Sequence, residues 1–179
     1  AAADDRDRPA DRRGRAAHVY ADLRPRRQPA ISARAEVEPA EGFSPEEIRD
    51  AVLRARAARR RACDVLAESA GLAPEELLRR LAATFGYRPI ALQEMLECEP
   101  LFERIPFAEA MRRSLVALRE PGGALQIVVD DPLDSGLVAW VAEWAREPFV
   151  WRLALREDLA AWFVRQEQSL RALDRVGPE

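Results

Sequence analysis

Four acidic pairs are the first places where this 179-residue chain could do chemistry: Glu46-Glu47, Glu75-Glu76, Asp130-Asp131 and Glu157-Asp158. General acid–base work needs two carboxylates held in different environments. Every one of these pairs instead falls at an expected helix start, where capping and dipole stabilisation of roughly 0.3 to 2 kcal/mol each account for it. The single histidine, His18, stands in a stretch with no apolar period, which argues against a catalytic triad or a histidine metal site. Cys63 and Cys98 lie far apart with no close partner, so they read as buried free thiols, not a disulfide framework or zinc site. All 28 basic residues are arginine. Without lysine or a glycine-rich turn the chain cannot form a P-loop, and no catalytic residue, metal ligand or cofactor is assigned.

Two arginine groups remain as candidates. Arg54, Arg56, Arg59, Arg60 and Arg61 make one segment strongly basic. Their bland reading is a solvated face snorkelling over its own apolar stripe, and the sharper one is a surface for an acidic partner centred on Arg56, Arg59 and Arg60. A net charge of −3 gives no general reason to bind nucleic acid or an acidic membrane. The aromatic residues Trp140, Trp144, Trp151 and Trp162 could stack on bases, but three of them fall on stripes that the core requires.

The elements that must position these residues follow from spacing. Residues 1–42 mix Arg, Asp, Ala and Pro without a period and are expected to be a disordered or linker tail. Residues 43–100 are expected to form a helical lobe. Ser44-Pro45-Glu46-Glu47 is a capping box opening a helix, or two helices with a bend, that runs to Gly71. Ala73-Pro74 opens the next helix, which buries Leu77, Leu78, Leu81, Ala82 and Phe85 and stops at Gly86. Residues 101–173 are expected to form an α/β lobe, ordered strand–strand–helix–strand–helix, with 174–179 as a tail. Leu115 to Leu118 and Leu125 to Val129 make a hairpin around Pro121-Gly122-Gly123. Asp131 is the expected cap of the following helix, with Leu133, Leu137, Trp140, Val141 and Trp144 inward. A third strand carries Phe149, Trp151 and Leu153 on one face and Arg152 on the other. A last helix turns Leu159, Trp162, Phe163, Gln166, Leu170 and Leu173 inward. The fold class is α+β, a helical lobe followed by a small three-stranded sheet packed with helices.

The order of these pieces carries a resemblance. "GLAPEELLRRLAATFGYRPIAL", "IPFAEAMRRSLVAL", a strand ending in "VVDDPLD", a tryptophan-bearing helix, a third strand and "LREDL" together resemble the N-terminal domain of type II secretion and type IV pilus assembly ATPases over roughly Arg61 to Phe163. That resemblance implies a non-catalytic protein-interaction and regulatory domain of a bacterial protein. It implies docking of the host to the cytoplasmic part of an inner-membrane platform protein, or to other domains of the same chain. The location implied is cytoplasmic, peripheral to the inner membrane. The same domain type is also appended to membrane glycosyltransferases, which leaves the host open. In related pilus ATPases the domain can bind cyclic di-GMP through an Arg-Leu-Gly-x-x-Leu-x-x-x-Gly pattern. With the final glycine on Gly71, this chain has Ala62-Cys63-Asp64 in place of Arg-Leu-Gly, and Arg61 is one position out of register. Arg79, Arg80 and Arg88 are then the nearby arginines for such a ligand.

Overall fold

The computed structural model describes residues 41–145 and 147–174, with side chains through residue 172. The expected tails, His18 and the inward placement of Leu173 lie outside the described residues, apart from positions 41, 42 and 174 at the tail boundaries. The capping box forms as expected, with Ser44 Oγ accepting from Glu47 N at 3.2 Å and the Glu47 carboxylate accepting from Ser44 N at 2.7 Å. Helix α1 (Pro45–Ala58) buries Ala51 and Ala55. It ends at Arg59, whose φ of 53° is left-handed, and helix α2 (Ala62–Ala70) follows. The run up to Gly71 is therefore two helices. Gly71 and Gly86, at φ 63° and 67°, terminate α2 and α3 (Pro74–Phe85) as their type predicts.

After α3 come β1 (Arg88–Pro89), α4 (Leu92–Glu97), β2 (Glu99–Pro100), α5 (Phe107–Arg113), β3 (Leu115–Arg119), β4 (Leu125–Val129), α6 (Ser135–Trp144), β5 (Phe149–Leu153) and α7 (Arg156–Asp174). The α+β class holds, but the sheet has five strands in the order β1-β5-β4-β3-β2, where three were expected. The two additional strands are two-residue edges, each containing a proline, Pro89 or Pro100. Proline cannot donate to a ladder and is tolerated at an edge, so these strands are too short to show a period and they blunt the sheet against further pairing. Both lie before residue 101, so the sheet draws on residues assigned by sequence to the helical lobe.

Strand β4 pairs antiparallel with β3 and parallel with β5. The register puts Val116, Val128 and Arg152 in one row and Ala117, Ile127 and Trp151 in the next, so Arg152 does face opposite to Trp151. Arg152 is nevertheless buried, donating to the Pro89 carbonyl at 3.1 Å and to Glu94 at 3.2 Å. Helices α4 and α7 meet where the fully buried Trp162 donates its indole N–H to the Met95 carbonyl at 3.3 Å. Trp151 stacks on Tyr87 at 5.4 Å, and burial pushes the Tyr87 hydroxyl up to about 12.

Helix α6 departs from expectation in two ways. Its cap is Asp134, which accepts from Gly136 N and Leu137 N, both at 3.0 Å. Asp131 instead accepts from Leu133 N at 3.0 Å and closes a turn ahead of the helix. Asp131 is also held by Cys63 and Arg61 across the fold, which leaves the cap to the next aspartate. The inward axis runs through Leu137, Val138 and Val141. Trp140 and Trp144 border that axis half-buried and stacked on each other at 6.1 Å, so Trp140 is not the core residue its spacing implied.

Candidate functional site

Of the three arginines proposed for a ligand, two are engaged within the fold. Arg79 pairs with Glu76 one turn earlier on α3. Arg80 donates to the Glu41 carbonyl at 3.0 Å, lies 4.1 Å over the Phe43 ring and stands 3.8 Å from Glu47. Its role here is to fasten the entry of α1 to α3. Arg88 is exposed on the edge strand β1 and makes no ion pair among the described residues. On the basic segment, Arg60 binds Glu68 through both terminal nitrogens, one at 2.9 Å. Arg56 and Arg59 are exposed, and among the described residues neither makes an ion pair. Arg59 occupies a left-handed helix end where Gly71 and Gly86 serve the next two helices, a conformation that costs a side-chain-bearing residue roughly 1 to 2 kcal/mol. Arg56 at the carboxyl end of α1 also complements the helix dipole.

The remaining charged constellation ties α2 to the carboxyl end of β4. Arg61 lies 2.9 Å from Asp130 and 3.4 Å from Asp131, and the Cys63 thiol donates to Asp131 at 3.0 Å. Asp64 is 4.0 Å from Arg156 at the start of α7. Burial raises the Asp130 carboxyl above its ordinary range, and the neighbouring Asp131 adds to that while Arg61 opposes it. Burial drives the Cys63 thiol well up, with Asp131 reinforcing it, so this cysteine is a protonated packing residue and not a nucleophile. Burial pulls the Arg61 guanidinium down, yet Asp130 and Asp131 outweigh it and leave it raised. Such a clasp orders two elements.

The acidic pairs behave accordingly. Glu47 caps α1, Glu76 holds Arg79, Asp130 and Asp131 hold Arg61, and Glu157 and Asp158 sit in the first turn of α7. The Arg61–Asp130 pair was beyond sequence reasoning because 69 positions separate its members. Arg113 and Ser114 were also missed, although the hairpin register was a usable signal. With Leu115 opposite Val129, Ser114 comes opposite Asp130.

Residues 85–173 match the family described as the MshEN domain. A solved structure of MshE with cdg is similar to this chain at a TM-score of 0.51 and 22% identity, covering 68% of this chain and 88% of that one. The N-terminal domain of XpsE is similar at a TM-score of 0.47 and 17% identity, covering 64% and 82%. No curated protein matches the chain. The likeness to MshE bears on the fold, and the family match bears on the segment containing β1 through α7. No helix of the described residues is long and apolar enough to cross a membrane. Residues 85–173, just under half of the chain, thus resemble an MshEN domain, in line with the resemblance to the N-terminal domain of type II secretion and type IV pilus assembly ATPases.

Proposed function

We propose that this domain is a non-catalytic interaction and regulatory module that docks its host, a secretion or pilus ATPase, to the cytoplasmic part of an inner-membrane platform component. The observation that carries the reading is the MshEN match over residues 85–173. Engagement of the acidic pairs in caps and ion pairs supports it, because they are committed to structure. Exposed Arg56 and Arg59, with Arg60 beside them, are the contact face in this reading, and its complement is an acidic surface on the partner.

A second reading, a cyclic di-GMP sensor, is favoured by the similarity to MshE solved with cdg. The local chemistry weighs against it. The segment Ala62-Cys63-Asp64 is the first turn of α2, where a phosphate would face Asp64 and the Asp130–Asp131 pair. The two readings separate in a calorimetric titration of the purified chain with cyclic di-GMP at moderate salt. A flat trace is expected for the docking module. Saturable binding at micromolar strength, lost on replacing Arg79, Arg80 or Arg88, would replace it with the sensor.

A further inference from the structure

A cleft of about 310 Å³ opens at the carboxyl end of β4, between the end of α5 and the turn that leads into α6. Here β4 has a parallel neighbour on one side and an antiparallel one on the other. Arg112, Arg113 and Ser114 line one side, and Asp130, Asp131 and Asp134 line the other.

Two features in this cleft have no structural explanation within the fold, and Ser114 stands beside them. The Asp130 side chain is 97% buried, its Oδ2 bound by Arg61, yet its Oδ1 has no hydrogen-bond partner. A buried acceptor left open calls for a donor from outside the chain. Arg113 is fixed at two points, with Nε on Glu109 and the guanidinium 4.3 Å over the Trp140 ring. Both of its terminal nitrogens are without a hydrogen bond among the described residues, which leaves a preorganised fork of the shape that grips a carboxylate or phosphate. Ser114 is the left-handed C-cap of α5, at φ 52°, and its hydroxyl makes no hydrogen bond among the described residues.

We propose that this cleft binds a small zwitterion, its oxyanion on the Arg113 fork and Ser114 and its ammonium on Asp130 Oδ1. Charge selects that class. With Arg61 included, three arginines face three aspartates. A bare anion meets the aspartates and a bare cation meets the arginines, whereas a molecule carrying both ends satisfies each wall. A free amino acid and an ethanolamine phosphate headgroup share this chemistry. The site goes beyond docking and uses none of the Arg56, Arg59 and Arg60 face.

The test is calorimetric titration of the full chain with glycine, β-alanine, γ-aminobutyrate and O-phosphoethanolamine, with acetate and methylamine as single-charge controls. The three amino acids form a ruler for the distance between the walls. At least one zwitterion is expected to saturate, with the controls weaker by roughly tenfold or more, about the worth of one charge-assisted contact. Preference for an amino acid or for O-phosphoethanolamine tells the two sources apart. Arg113→Gln, at a partly exposed position, should remove the binding. Asp130→Asn should do the same for the ammonium arm, with a thermal melt to establish folding. Failure of all four zwitterions to saturate, or binding indifferent to Arg113→Gln, overturns the proposal.

Discussion

Replacing Arg61 with alanine should expose how the α2–β4 clasp is balanced. The guanidinium sits 2.9 Å from Asp130 Oδ2 and 3.4 Å from Asp131 Oδ2. Asp130 is only 3% exposed, whereas Arg61 is 28% exposed. Breaking a fully buried ion pair typically costs about 3 to 5 kcal/mol, because the partner is left as an uncompensated buried charge. Partial solvation of Arg61 screens the pair, so about 2 to 3 kcal/mol is expected near neutral pH. The pH dependence is the sharper part. Asp130 already has a raised pKa from burial, opposed by Arg61, and removing Arg61 raises it further. A carboxyl whose folded pKa exceeds its unfolded value of about 3.9 takes up its proton preferentially in the native state, so stability recovers as pH falls toward that value. A tenfold difference in acidity between the folded and unfolded carboxyl is worth about 1.4 kcal/mol. Urea unfolding followed by tryptophan fluorescence at about pH 7 and about pH 5 should show the variant's deficit shrinking on acidification. Asp130→Asn in the Arg61→Ala background should recover much of the loss at neutral pH. A deficit under about 1 kcal/mol at neutral pH, or one of equal size at both pH values, would refute the reasoning.

Other expectations concern single side chains. Arg59→Gly should stabilise the protein by about 0.5 to 1 kcal/mol in chemical denaturation, since relief of the left-handed strain exceeds glycine's added unfolded-state entropy; a loss would mean the Arg59 side chain supports the fold. Trp162→Ala should cost about 3 to 5 kcal/mol, and Trp140→Ala about 1 to 2, because the first is fully buried and the second half-buried beneath Arg113. Equal losses would put Trp140 back in the core. Tyr87, raised to about 12 by burial, should keep its proton when the unfolded chain loses it near pH 10. Stability should accordingly fall by about 2 to 3 kcal/mol as pH rises from about 10 to about 12, and an ordinary tyrosinate absorbance midpoint near pH 10 would contradict this burial.

Features governed by neighbours in sequence were legible. Ser44 and Glu47 cap α1, Gly71 and Gly86 end their helices, and Gly122 and Gly123 take φ values of 114° and 99° in the hairpin, as their types require. Strands β3, β4 and β5 were visible because each is a five-residue run with four apolar residues and one polar one. What escaped depends on partners far along the chain. Asp131 yielded the α6 cap to Asp134 because Cys63, 68 positions earlier, competes for its carboxylate. Edge strands of two residues are set by pairing with β5 and β3, and nothing in Arg88-Pro89 or Glu99-Pro100 announces them. Arg59 contradicts the rule that glycine marks a left-handed helix end, so the break after α1 was hidden. Arg80 looked available for a ligand until Phe43 and the Glu41 carbonyl claimed it. Except at Arg59, whose cap is local, a long-range contact prevailed over a local preference.

Docking of the host is tested most directly by separating membranes from soluble protein in cells that make the full-length host. Three forms are compared: the native domain, the Arg56→Glu/Arg59→Glu variant, and a deletion of the domain. The docking account predicts that the native host sediments with the inner membrane while both altered forms move to the soluble fraction. A host that stays on the membrane without this domain, or never reaches it with the domain intact, would contradict the account.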